Sequence, residues 1–133
     1  MKSLFLCFFL ASTIFLVVDI IWLSITVKSL YRPFLGPLLN EKPVMWAAAL
    51  FYIIYVFGLT LIVLKPALSD ESVTSALWMG IVFGVVAYGT YNLTNMATIK
   101  NWSPTIVFID IIWGGFLTGF SSALAIFLTK KFF

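Results

Sequence analysis

Four long apolar runs, interrupted only by isolated polar residues, alternate with short stretches rich in Lys, Asp, Asn and Pro. The first runs from about Leu4 to Val27 and stops at Lys28; the second covers about Val44 to Leu64. The third covers about Ser75 to Ile99, and the fourth about Thr105 to Thr129, ahead of Lys130-Lys131. Each run matches the roughly 20 residues a helix needs to cross the hydrocarbon core of a bilayer. The pattern predicts an all-α protein, an integral membrane four-helix bundle with up-down-up-down order and short connections. The spans over 4–27, 44–64, 75–99 and 105–129 form a single transmembrane domain over 1–133.

All three stretches between runs carry prolines, the shortest being the turn Lys100-Asn-Trp-Ser-Pro104. Lys28 to Pro43 holds Pro33, Pro37, Pro43 and Gly36, which argue against one continuous helix there. It is also half apolar, with Tyr31, Phe34, Leu35, Leu38 and Leu39, so a short interfacial helix or lid between spans 1 and 2 is expected. Lys65 to Thr74 carries Pro66 and the acids Asp70 and Glu71 and reads as an ordinary connection. At the N-terminus Lys2 precedes an apolar core, as in a signal peptide. No small-x-small site follows, and apolar character continues past Asp19 to Val27, so an uncleaved span is expected.

Composition agrees with the pattern. Hydrophobic residues make up 62% of the chain and charged residues 10%, against roughly 25% charged in soluble domains. Eight Lys and Arg against five Asp and Glu give a net charge of +3, but no basic run occurs, which argues against nucleic acid as a partner. There is no histidine and only one cysteine, Cys7, so histidine-ligated zinc or haem, a thiolate metal site and an intrachain disulfide are excluded. No metal and no cofactor are expected. The cations divide evenly, Lys2, Lys65, Lys130 and Lys131 on one face and Lys28, Arg32, Lys42 and Lys100 on the other. The even span count and the pair Lys130-Lys131 favour cytoplasmic termini.

Against this background the polar residues inside spans stand out. Asp19 and Asp110 each open the tetrapeptide Asp-Ile-Ile-Trp. A carboxylate in hydrocarbon costs on the order of 2.5 to 3.5 kcal/mol on the insertion scale, so such residues are functional candidates by default. At about 1.5 Å per residue, Asp19 lies about 12 Å, Asn92 about 10 Å, Asn95 about 6 Å, Asp110 about 8 Å and Tyr52 about 12 Å in from one common face. Azimuth agrees. Gly80, Gly84, Tyr88, Asn92 and Asn95 form one stripe of span 3; Asp110, Gly114, Thr118 and Ser121 form one on span 4; Ser12, Asp19 and Thr26 form one on span 1. These stripes are expected to face one another, with Arg32 and Lys100 from the overlying segments as cationic partners. Gly80/Gly84 and Gly115/Gly119 read as helix packing, within the chain or between two copies. Trp22, Trp46, Trp78, Trp102 and Trp113 read as an interfacial belt.

The run Tyr88-Gly-Thr-Tyr-Asn-Leu-Thr-Asn-Met-Ala-Thr-Ile-Lys-Asn-Trp102, with Asp19-Ile-Ile-Trp22, Asp110-Ile-Ile-Trp-Gly114, Tyr31-Arg32 and Gly36-Pro-Leu-Leu39, resembles a bacterial membrane-protein family catalogued as domain of unknown function 2177. The resemblance covers essentially the whole chain and implies a four-span protein of the bacterial inner membrane, without supplying a substrate. Members of that family commonly have Tyr-Asp-Leu-Thr-Asn where this chain has Tyr91-Asn-Leu-Thr-Asn95, so an amide stands here in place of an acid.

Three functions compete for these residues. In the first, Asp19 and Asp110, with Asn92, Asn95, Tyr88 and Tyr52, hold a proton, a small polar or cationic solute, or a lipid headgroup for binding or transport. Four spans are few for a monomeric transporter, so a homodimer or a membrane-protein partner is then expected. The second is an intramembrane enzyme acting on a lipid or peptide, with Asp110 and Asp19 as an acid–base pair. In the third the polar residues are a clasp that fixes helix register in a structural subunit or assembly factor.

Overall fold

The computed structural model describes residues 2–133, and the first residue of the expected domain, Met1, lies outside them. The described chain is helical almost throughout: α1 Lys2–Thr26, α2 Arg32–Leu35, α3 Met45–Leu59, α4 Lys65–Ser69, α5 Val73–Thr98 and α6 Pro104–Phe132. Four helical stretches are long and apolar enough to cross a membrane, Lys2–Leu38, Met45–Ser69, Val73–Thr98 and Pro104–Phe132. The first two outrun the sequence expectation because the prolines expected to end them do not.

Pro33 and Pro66 each follow a widened turn. Proline within an α-helix lacks a donor, and its ring presses on the carbonyl four residues back. Before Pro33 the segment Val27–Tyr31 is π-helical, and the Arg32 N–H donates to the Val27 carbonyl, five residues back. Before Pro66 the segment Thr60–Leu64 does the same, with the Lys65 N–H donating to the Thr60 carbonyl. One extra residue in the turn displaces the carbonyl that the ring would strike, so the helix continues. The first helical stretch therefore ends not at Lys28 but in a 3₁₀ turn, Gly36–Leu38, after which Leu39 is extended.

Two tight connections join the remaining helices. Glu71 takes a left-handed conformation (φ 52°), and the Ser72 hydroxyl then accepts from the Ser75 N–H at 3.0 Å to cap α5. Between α5 and α6, Asn101 is left-handed (φ 64°), a conformation asparagine tolerates better than most residues. The Ser103 hydroxyl caps α6, and Pro104 occupies its first turn, where no N–H partner is needed.

The most buried helix is α6, packed chiefly against α5 and next against α1. The approach to α5 depends on missing side chains. A Cβ on Gly84 would collide with the backbone of Gly114, and one on Gly80 would lie 2.9 Å from the Gly119 Cα. The glycines of both GxxxG pairs are thus occupied inside one chain, which removes them as an interface between copies. Phe15, Tyr55 and Leu117 form one core cluster; Cys7, Leu59, Leu64, Ala125 and Ile126 belong to another. Large apolar side chains also cover the outside, among them Phe5, Phe9, Ile54, Phe57, Val86 and Ile112, each at least 60% exposed. Such a surface suits lipid rather than water.

Candidate functional site

The small residues that seat α6 on α5 also decide where the polar side chains meet. The Tyr88 ring lies over Gly114, and one turn further along α5 Asn92 reaches Asp110. Asn92 is fully buried; its Nδ2 donates to the Tyr88 carbonyl at 3.0 Å and to Asp110 Oδ2 at 2.6 Å. The other carboxylate oxygen of Asp110 accepts from the Tyr31 hydroxyl at 2.7 Å. Tyr31 is available because the π-helical turn carries the first helical stretch past Lys28.

Asp19, only 6% exposed, is held in the same manner by other groups. The Tyr52 hydroxyl donates to one of its oxygens, and the Trp113 indole N–H donates to the other at 3.1 Å. Every donor to either carboxylate is thus neutral: two phenols, an amide and an indole. The carboxylates do not hydrogen-bond each other. They are linked through the stacked Trp22 and Trp113 rings, 4.2 Å apart and 9° from parallel, with the Trp22 N–H donating to the Tyr31 hydroxyl at 3.1 Å.

Beside this network lies a cavity of about 520 Å³, within the range of small-molecule sites. Asp19, Asp110, Asn92 and Tyr88 line it, and so do Trp22 and Trp113. Its rim carries Tyr31, Arg32 and Trp102. Arg32 is exposed there; Lys100 is exposed but does not line the cavity, and half-buried Asn95 does not line it either. Tyr52 touches the site only through Asp19. Of the span 1 stripe, Ser12 and Thr26 bond carbonyls of their own helix, and Asp19 alone reaches across. Among the described residues no group of three metal-ligating side chains converges.

Two buried polar atoms at the cavity have no partner, Asn92 Oδ1 and the Trp102 indole N–H. An unpaired buried acceptor costs about 1–3 kcal/mol, so the Asn92 oxygen is a place where a donor from a bound molecule would be stabilised.

Three residues of this network carried no site signal in the sequence. Trp22 and Trp113 lie in the site rather than in an interfacial belt, for which Trp46 and Trp78, at 73% and 62% exposed, remain suited. The signal that could have found them is the repeat itself: in a helix Asp and Trp three apart share a face. Tyr31 was legible only as part of an apolar overlying segment.

Comparison with known proteins gives one result. The family described as Predicted membrane protein (DUF2177) matches residues 4–127. No curated protein and no solved structure matches the chain.

Proposed function

The chain belongs to this family of predicted membrane proteins, and we propose that its role is to bind, and to carry within the membrane, a small group rich in hydrogen-bond donors or bearing a positive charge. The observation that carries this reading is the pair of carboxylates beside one cavity whose hydrogen-bond donors are all neutral. Neutral donors satisfy lone pairs but leave the charge of an ionised carboxylate uncompensated. In a low-dielectric site a cation or donor-rich group supplies what is missing. The unpartnered Asn92 oxygen adds a further acceptor at the same place.

In this reading the four helices cross alternately in the bacterial inner membrane, with both termini cytoplasmic and the cavity near the opposite face. The Tyr31–Leu38 stretch acts as a partial lid. Native mass spectrometry of wild type beside Asp19→Asn and Asp110→Asn tests the proposal. A specific small-molecule or lipid adduct present in wild type and lost in both variants is expected; an adduct indifferent to both substitutions overturns it.

A second reading has its own observation. Each of the four carboxylate oxygens already accepts one hydrogen bond, as a clasp fixing helix register requires. A clasp predicts destabilised variants and no ligand at any concentration.

A further inference from the structure

A second cavity meets the first from the side. It measures about 380 Å³ and is walled by Phe51, Tyr55, Ala87, Tyr88, Tyr91 and Asp110, the last three of which it shares with the polar cavity. Apart from Asp110 its lining is aromatic or aliphatic. Phe51 and Tyr91 are 43% and 57% exposed, so the space opens outward between α3 and α5. Tyr91 precedes the last residue of α5, Thr98, by seven residues, which at 1.5 Å per residue puts the opening about 10 Å below the helix end. At that depth the surroundings of a membrane protein are hydrocarbon.

A water-soluble ligand has no use for an apolar side opening that ends on a carboxylate. An amphiphile uses both parts, with its chain in the side cavity and its head beside the aspartates. The head is specified by what surrounds it. Carboxylates with neutral partners and the unpartnered Asn92 acceptor call for an ammonium, and exposed Arg32 on the rim offers a bidentate partner to a phosphate. We propose that the ligand is a phospholipid with an amine-bearing headgroup, admitted sideways between α3 and α5. This rests on the binding role proposed above and names its ligand class and route.

The test separates the two. Wild type, Ala87→Leu, Ala87→Phe and Asp110→Asn are placed in nanodiscs of phosphatidylethanolamine and phosphatidylglycerol, and retained lipid is scored by native mass spectrometry after transfer to detergent. Free phosphoethanolamine is titrated in parallel by calorimetry, and thermal unfolding shows that each variant is folded. Ala87 lines only the side cavity, so its enlargement fills the route and leaves the carboxylates in place. Preferential retention of phosphatidylethanolamine by wild type, reduced about tenfold in the Ala87 variants and in Asp110→Asn, supports the proposal. Binding of free phosphoethanolamine that needs Asp110 but ignores both Ala87 variants, with no lipid preference, overturns the lipid inference and keeps the binding role. Absence of both ligands from folded wild type overturns the lipid inference, and absence of any specific adduct from the same spectra overturns the binding role as well.

Discussion

The Trp113 indole donates to Asp19 at 3.1 Å, so the tryptophan of the second Asp-Ile-Ile-Trp motif serves the aspartate of the first. The reverse service is indirect: Trp22 donates to Tyr31, whose hydroxyl donates to Asp110. Because Asp and Trp three apart share a helix face, each motif presents an acceptor and a donor together, and two copies meeting face to face satisfy one another. The stacked indoles bind the halves together.

Replacing Asp19 distinguishes polarity from charge. Asparagine can turn its oxygen to the Trp113 N–H and its amide to the Tyr52 oxygen, so Asp19→Asn should cost less than about 1 kcal/mol of stability. Leucine leaves the phenol and the indole without an acceptor, and Asp19→Leu should cost about 2–4 kcal/mol. Cys7, at 0% exposure, provides the measurement, since a maleimide reaches it only when the helices part. Labelling should set in at nearly the same SDS level in wild type and Asn, and at a much lower level in Leu. Equal loss in both variants would mean that the charge itself holds the fold.

The indole stack can be isolated by a double-mutant cycle. Trp113→Leu removes one ring together with the donor to Asp19, and Trp22→Leu removes the other together with the donor to Tyr31, so only the contact between the rings is counted in both singles and once in the double. If the rings stabilise one another, the double variant should lose less than the sum of the singles, with a coupling of about 0.5–1.5 kcal/mol. Strict additivity in the same labelling assay would make the two tryptophans independent.

How far the site was legible depended on whether a helical position determines what a residue meets. Asp19, Asn92 and Asp110 were legible because depth and azimuth follow directly from helical rise and pitch, and the small residues beside them told which faces close. Asn95 shares the stripe of Asn92, most of a turn nearer the face, yet does not line the cavity, because a stripe is broader than the contact it makes. Tyr31 and the run of helix past Lys28 were not legible. Proline at 33 argues for a break unless the preceding turn widens, and nothing in Val27–Tyr31 announces a π turn. The four apolar helices were readable throughout because their signal is summed over some twenty residues rather than carried by one.

Close packing of α5 on α6 makes a sharp contrast between glycines. Gly84→Ala drives a methyl into the Gly114 backbone, which cannot move aside without separating the helices and disturbing the Tyr88–Asn92–Asp110 arrangement. A loss of about 2 kcal/mol or more is expected, or failure to fold. A Cβ on Gly36 meets nothing within 4 Å, and its backbone is right-handed helical at φ −38°. Gly36→Ala should be neutral or stabilising by up to about 1 kcal/mol. Thermal unfolding of the purified variants in one detergent checks the order.

Two tyrosines then separate the halves of the network, because each supplies one hydroxyl to one aspartate. Tyr52→Phe removes a single hydrogen bond, to Asp19. Tyr31→Phe removes two, since its hydroxyl both donates to Asp110 and accepts from Trp22, and the Trp22 N–H is left without an acceptor. With a typical net worth of about 0.5–1.5 kcal/mol per bond, Tyr31→Phe should destabilise about twice as much as Tyr52→Phe. Ligand retention adds a second axis. Tyr31 lines the cavity and Tyr52 does not, so a ligand held there should lose affinity in Tyr31→Phe and keep most of it in Tyr52→Phe. If affinity instead falls in proportion to stability across both variants, binding follows from the integrity of the fold alone and the phenol at the rim makes no contact of its own.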